Sequence, residues 1–144
     1  MESVEGLELS PRKVEYLKYI LERGCPVRTN DVAREFGVDP STVTKALAEL
    51  AGAGYVSHEP YHGVVLSGQG RAYAQFLIKR HRILALAFTQ HGLSEDQACT
   101  EVSRFESLVS KDAIDRMCHA MGHPNRSGCG VITHDDGCLG HVTD

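Results

Sequence analysis

The sequence predicts a mainly α-helical protein, with a winged helix-turn-helix domain at the N-terminus and a helical domain after it. Three observations carry that expectation. Residues 29–66 read as two short helices around a tight turn, followed by a β-ribbon. Residues 69–121 hold three further stretches in which apolar residues recur at helical spacing. The chain shows no internal repeat and no apolar run long enough to span a bilayer.

A first helix is expected over about residues 11–23, capped by Ser10 and opened by Pro11, with Val14, Leu17, Ile20 and Leu21 as its stripe and Gly24 as its end. The next helix turns Val32, Ala33 and Phe36 inward and stops at Gly37, because a helix end favours a residue that tolerates the left-handed conformation. Asp39 is placed to cap the following helix, and Pro40 fits its first position, where a missing N–H costs nothing. Val43, Ala46, Leu47 and Leu50 form that helix's apolar face. Its other face shows Ser41, Thr42, Thr44, Lys45 and Ala48. Short donors, one cation and no bulk are what a recognition helix offers to a major groove.

Tyr55–Ser57 and Val64–Leu66 read as the ribbon strands, joined by residues 58–63. Ser67 caps a long helix from about Gln69 to Gln90, and Ser94 caps another running to about Val109. Lys111–Met121 is the last helix, with Ile114, Met117, Cys118 and Met121 inward. The tail, Gly122–Asp144, has no periodicity and too little apolar surface to order itself without a ligand or partner. The expected partition is 1–70 for DNA binding, 71–125 for the helical domain and 126–144 for a Cys/His-rich tail.

Charge divides the chain in the same way. Residues 1–90 hold 11 Lys and Arg against 10 Asp and Glu, whereas residues 91–144 hold 4 against 9. A near-neutral half suited to phosphate contact thus precedes an acidic half of different purpose. The N-terminus is acidic and polar, unlike a signal peptide, so a soluble, cytoplasmic protein with no membrane partner is expected. Five cysteines, an odd number, argue against a secreted disulfide scaffold and leave thiols for metal or redox chemistry.

For DNA, Ser41, Thr42, Thr44 and Lys45 are the expected groove contacts. Arg28 and Thr29 precede the second helix, where exposed N–H groups meet phosphate. Tyr61, with His58 and His62, sits on the wing. Arg80 and Arg82 read as surface charges. For metal, Cys118, His119, His123, Cys129, His134, Cys138 and His141 crowd into one short span. His119 and His123 are four apart, one helical turn, which would aim both imidazoles the same way. Four such donors suffice for tetrahedral Zn²⁺ or Fe²⁺. Three thiolates plus a fourth ligand would instead hold an iron–sulfur cluster, making the protein a redox or iron sensor. No carboxylate stands paired with a histidine for acid–base work, and no phosphate-cradling glycine loop appears, so an enzyme is not expected.

With these elements in place, the chain resembles the diphtheria-toxin-repressor family of iron- and manganese-dependent repressors. Val14-Glu15-Tyr16-Leu17 resembles the opening helix, and Asp39-Pro40-Ser41-Thr42-Val43-Thr44-Lys45 the recognition helix. The run from Tyr61 to Gly70 is similar to the wing and the start of the long helix. Lys79-Arg80-His81-Arg82-Ile83-Leu84, Arg104-Phe105-Glu106 with Ser110, and Met121-Gly122-His123-Pro124 are similar to later signatures. The resemblance covers about residues 10–125, and the length resembles two-domain members without an SH3-like domain.

It implies a homodimer that binds a pseudo-palindromic, double-stranded operator and represses metal-homeostasis genes in response to Fe²⁺, Mn²⁺ or Zn²⁺. Carried over position by position, the family's metal ligands fall on Glu15, Lys18, His81, Ala85, Cys99, Ser103, Glu106 and Ser107. Of these, Glu15, His81, Cys99 and Glu106 have good donors. The other four stand where family members have carboxylate, sulfur or imidazole. A thiolate at Cys99 favours softer ions than manganese.

Overall fold

The structure, a computed structural model, describes residues 4–135 and Cys138. Helices α1 (Pro11–Arg23), α2 (Thr29–Phe36) and α3 (Pro40–Gly52) precede an antiparallel ribbon of β1 (Val56–Glu59) and β2 (Gly63–Leu66). Then come α4 (Gly68–Gln90), α5 (Glu95–Phe105), a 3₁₀ turn (Glu106–Leu108), α6 (Lys111–Ala120) and a second ribbon, β3 (Arg126–Ser127) with β4 (Gly130–Val131). The contacts divide the chain into two units. One is Pro11–Gln75; the other joins residues 4–10 to the chain from Phe76 onward. No helix among the described residues is long and apolar enough to cross a membrane.

In the winged unit, Tyr16, Leu17, Val32, Val43, Leu47, Leu50 and Val64 are buried. Tyr16 and Tyr19 set their rings against Phe36 at 5.2 and 5.7 Å in inclined geometry, which aromatic quadrupoles favour. Gly37 ends α2 in the left-handed region, at φ 64°. Val27 exchanges two backbone hydrogen bonds with Val64, at 3.0 and 2.7 Å, tying the chain before α2 to the ribbon. Gly63 permits this approach: at φ 118°, an added Cβ would lie 2.3 Å from the Val27 carbonyl oxygen. Asp39 occupies the cap position of α3, but its carboxylate accepts from the Ser41 hydroxyl and caps no backbone N–H. That local competitor displaces the expected cap.

In the second unit, Leu77, Ile83, Val102 and Ile114 are fully buried. Ser94 caps α5 by accepting from the Gln97 N–H, and Ser110 caps α6 by accepting from that of Ala113. The helix expected to reach Val109 ends earlier. Phe105 leaves the helical region at φ −137°, ψ 0°, and the tighter turn that follows buries Glu106 and Ser107. Within the tail, β3 and β4 pair as a minimal hairpin and Ile132 is buried. The tail is anchored from outside by Arg82, which donates to the Val131 carbonyl, and from within by the Ile132 N–H, which donates to the Asn125 carbonyl at 2.8 Å. His141 lies outside the described residues.

Candidate functional site

On α3 the period of 3.6 divides the side chains cleanly. Val43, Ala46, Leu47 and Leu50 are buried, while Ser41, Thr42, Thr44 and Lys45 are exposed. Thr44 Oγ1 donates back to the Pro40 carbonyl at 3.0 Å. Arg28 is exposed and Thr29 half-buried at the start of α2. Arg28 Nη2 donates to the Tyr61 carbonyl at 3.1 Å and so holds the wing tip. Tyr61 is 95% exposed and left-handed, at φ 67°, unusual for a residue with a Cβ.

Among the described residues, metal donors gather in two groups, both in the second unit. In the first, one ligand atom each from Cys118, His123, His134 and Cys138 lie within 4.8 Å of one another. Cys118 and Cys138 are fully buried. The Sγ of Cys118 lies 3.4 Å from His123 Nδ1 and 3.3 Å from His134 Nδ1, and that of Cys138 lies 3.5 and 3.8 Å from the same atoms. His134 Nε2 contacts the Pro124 carbonyl at 3.1 Å.

His123 does not continue α6 as its spacing from His119 suggested. The helix ends at Ala120, and Gly122 (φ 80°) and His123 (φ 53°) are both left-handed. The His123 N–H then bonds the Cys118 carbonyl at 2.8 Å. This hook brings the imidazole to Cys118. His119 stays outside the group. Its ring lies 5.5 Å from that of His123, and its buried Nδ1 has no hydrogen-bond partner among the described residues.

The second group is His81 on α4, Cys99 on α5 and Cys129 in the β3–β4 turn, half-buried and again within 4.8 Å. The two sulfurs are 2.8 Å apart as free thiols. His81 Nδ1 meets the Glu106 carboxylate at 2.9 Å. With Nδ1 so engaged, Nε2 is the nitrogen available to an ion, an arrangement typical of metal-bound histidines. Glu106 thus backs His81 and is not itself in the group. Glu15 is exposed on α1 and belongs to neither group. Cys129, expected among the tail donors, is drawn away by its hairpin, whose Gly128 sits tight against the Glu95 side chain.

Burial pushes the Cys118 thiol up to about 11, with Cys138 beside it, and the Cys99 thiol up to about 11, with Cys129 beside it. Burial, reinforced by the Lys79 charge, lowers the pKa of His134 below its ordinary value. An ion entering either group therefore displaces thiol protons. An iron–sulfur cluster held by three thiolates would need them in one place, whereas each group holds two.

Arg80 corrects the expectation of a surface charge. It is fully buried, donating from Nη1 to the carbonyls of Gly6 at 2.7 Å and Val109 at 3.1 Å, with Phe76 beneath its guanidinium. The signal was present: Arg80 stands three residues from both Leu77 and Ile83, on the buried stripe of α4. Its neighbour Lys79, also buried, lies 3.9 Å from Asp115. Three consecutive residues of α4 thus serve different surroundings.

Comparison with known proteins agrees with this organisation. Residues 8–64 match the N-terminal DNA binding domain of iron dependent repressors, and residues 67–131 their metal binding and dimerisation domain. The HTH-type transcriptional regulator MntR of Geobacillus kaustophilus is 34% identical over 104 residues, 72% of this chain and 74% of that protein. The structure of the manganese regulator SloR matches with a TM-score of 0.75 at 23% identity, over 88% of this chain and 61% of SloR, a likeness of fold. A manganese-dependent transcriptional repressor in complex with manganese gives 0.69 at 28% identity, over 80% of this chain and 55% of the other. With both domains matched in order, the chain belongs to the iron-dependent repressor family, that of the diphtheria-toxin repressor, and is a metal-responsive transcriptional repressor that binds DNA as a dimer.

Proposed function

We propose that the controlling ion is held by His81, Cys99 and Cys129, with Glu106 orienting His81, and that it is Zn²⁺ or Fe²⁺ in preference to Mn²⁺. The observation that carries this reading is the convergence of one imidazole and two thiols from three separate elements on one half-buried point. Two thiolates select borderline-soft ions, whereas manganese prefers carboxylate, carbonyl and water. Three protein donors leave a coordination position open, which suits an ion that must come and go. Lys18, Ala85, Ser103 and Ser107 offer little to the family's usual ligand set, so that set does not fit here.

In this reading the ion binds one arrangement of the repressor more tightly and so favours it. The dimer then meets a pseudo-palindromic operator of metal-homeostasis genes. Ser41, Thr42, Thr44 and Lys45 face the groove, and Arg28, Thr29 and Tyr61 approach the backbone.

The test is DNA binding by the full chain to a duplex selected from a random pool, with Zn²⁺, anaerobic Fe²⁺, Mn²⁺ or a chelator. Coupling of about 1–3 kcal/mol predicts roughly 5–150-fold tighter binding with Zn²⁺ or Fe²⁺ than with chelator. His81→Ala and Cys99→Ser should each remove that difference. Equal affinity with and without metal, or the greatest affinity with Mn²⁺, overturns the assignment.

A further inference from the structure

We infer that Cys118, His123, His134 and Cys138 form a second, closed site for zinc, structural in role and separate from the sensing ion. The geometry carries the inference. With Zn–S near ~2.3 Å and Zn–N near ~2.0–2.1 Å, a tetrahedral ion sets its S···N edges at about 3.6 Å. The four edges found here are 3.3, 3.4, 3.5 and 3.8 Å. Each sulfur meets both Nδ1 atoms, as around a single ion. A two-iron cluster with mixed ligands would keep its thiolate pair on one iron and its imidazole pair on the other.

The surroundings are built for ligation. The Pro124 carbonyl at His134 Nε2 fixes that ring with Nδ1 turned to the sulfurs, the outer-shell partner a metal-bound histidine takes. His123 is held by the left-handed hook after α6. Asp135 accepts the Cys138 N–H at 2.7 Å and meets Lys111 Nζ at 3.1 Å, which seats the last donor. Two thiolates and two neutral imidazoles cancel the dication, so a buried ion leaves no net charge there. Four protein donors fill a tetrahedron, and a filled tetrahedron marks a structural site.

The site has a mechanical consequence. His123 and His134 bracket the β3–β4 hairpin, whose turn carries Cys129. Zinc would close that loop at its base and so present Cys129 to His81 and Cys99. This last step rests on the proposed sensing site; the zinc site itself does not.

The test uses the full chain carrying Cys99→Ser and Cys129→Ser, which removes the other group's thiols and spares these four donors. His81→Ala serves as an independent background should the double variant fail to fold. One equivalent of Co²⁺ should bind with intense visible bands of a tetrahedral ion and thiolate charge transfer in the near ultraviolet. Zn²⁺ should displace it, and X-ray absorption should then find two sulfur and two nitrogen ligands. Adding His134→Ala should weaken retention against EDTA at least about tenfold and speed tryptic cleavage after Arg126. A protein that binds no ion in either background, an oxygen-rich six-coordinate spectrum, or a brown iron–sulfur chromophore overturns the inference. Metal-dependent DNA binding that persists in these backgrounds, with this zinc retained, would count against the sensing site alone.

Discussion

The two donor groups of the second unit differ in closure. One presents four donors from a single stretch of chain, with both sulfurs buried, and the other three half-buried donors from α4, α5 and a hairpin turn. A complete tetrahedron surrenders its ion slowly because no position is free for an incoming ligand. An incomplete one exchanges readily and can report concentration. On the proposed assignments, one fold would provide a permanent fastening beside a reversible reading, and one hairpin would serve both.

The largest effect expected from breaking this contrast comes from Cys118→Ser. Sharing about 10–16 kcal/mol of structural zinc affinity among four donors gives on the order of 10²–10³-fold weaker zinc binding when one is lost. Competition with a chromophoric chelator measures it. The contrast fails if zinc retention is unchanged.

Arg80→Met probes the frame on which both groups ride. It leaves the Gly6 and Val109 carbonyls without their buried donor, at a cost of about 2–5 kcal/mol. Urea unfolding should register this as a lower midpoint.

A smaller change, Glu106→Gln, removes the charge behind His81 while keeping its shape. Metal affinity at the open group should fall about 10–100-fold, with the zinc of the closed group retained in titrations that resolve the two. A fall at both sites would mean that they are not distinct.

The smallest effect falls on the recognition helix. Lys45→Ala should weaken DNA binding evenly across sequences and reduce the salt slope by about 1, without altering metal content. A change confined to one base position would make Lys45 a reader of sequence.

These regions were unequally legible in the sequence. The face of α3 could be read because a period of 3.6 alone separates Val43 and Leu47 from Thr44 and Lys45. The helix ends at Gly37 and Ser94 followed from local chemistry. The donor groups obey no such period. His123 reaches Cys118 through two left-handed residues that spacing cannot reveal, and Cys129 leaves the tail donors because a hairpin carries it to Cys99. His134, rather than His119, completes the tetrad, since the returning chain after β4 sets its position. Arg80 was within reach and misread: its charge suggested surface, while its place on the α4 stripe pointed inward.

The opening residues have a practical consequence. Arg80 donates to the Gly6 carbonyl, and the Lys111 N–H at the start of α6 donates to that of Glu5 at 2.7 Å. Trimming this lead, as is routine before crystallisation, would injure the metal-bearing half of the molecule while sparing the adjoining DNA-reading half. A purification tag is better placed well ahead of it on a spacer.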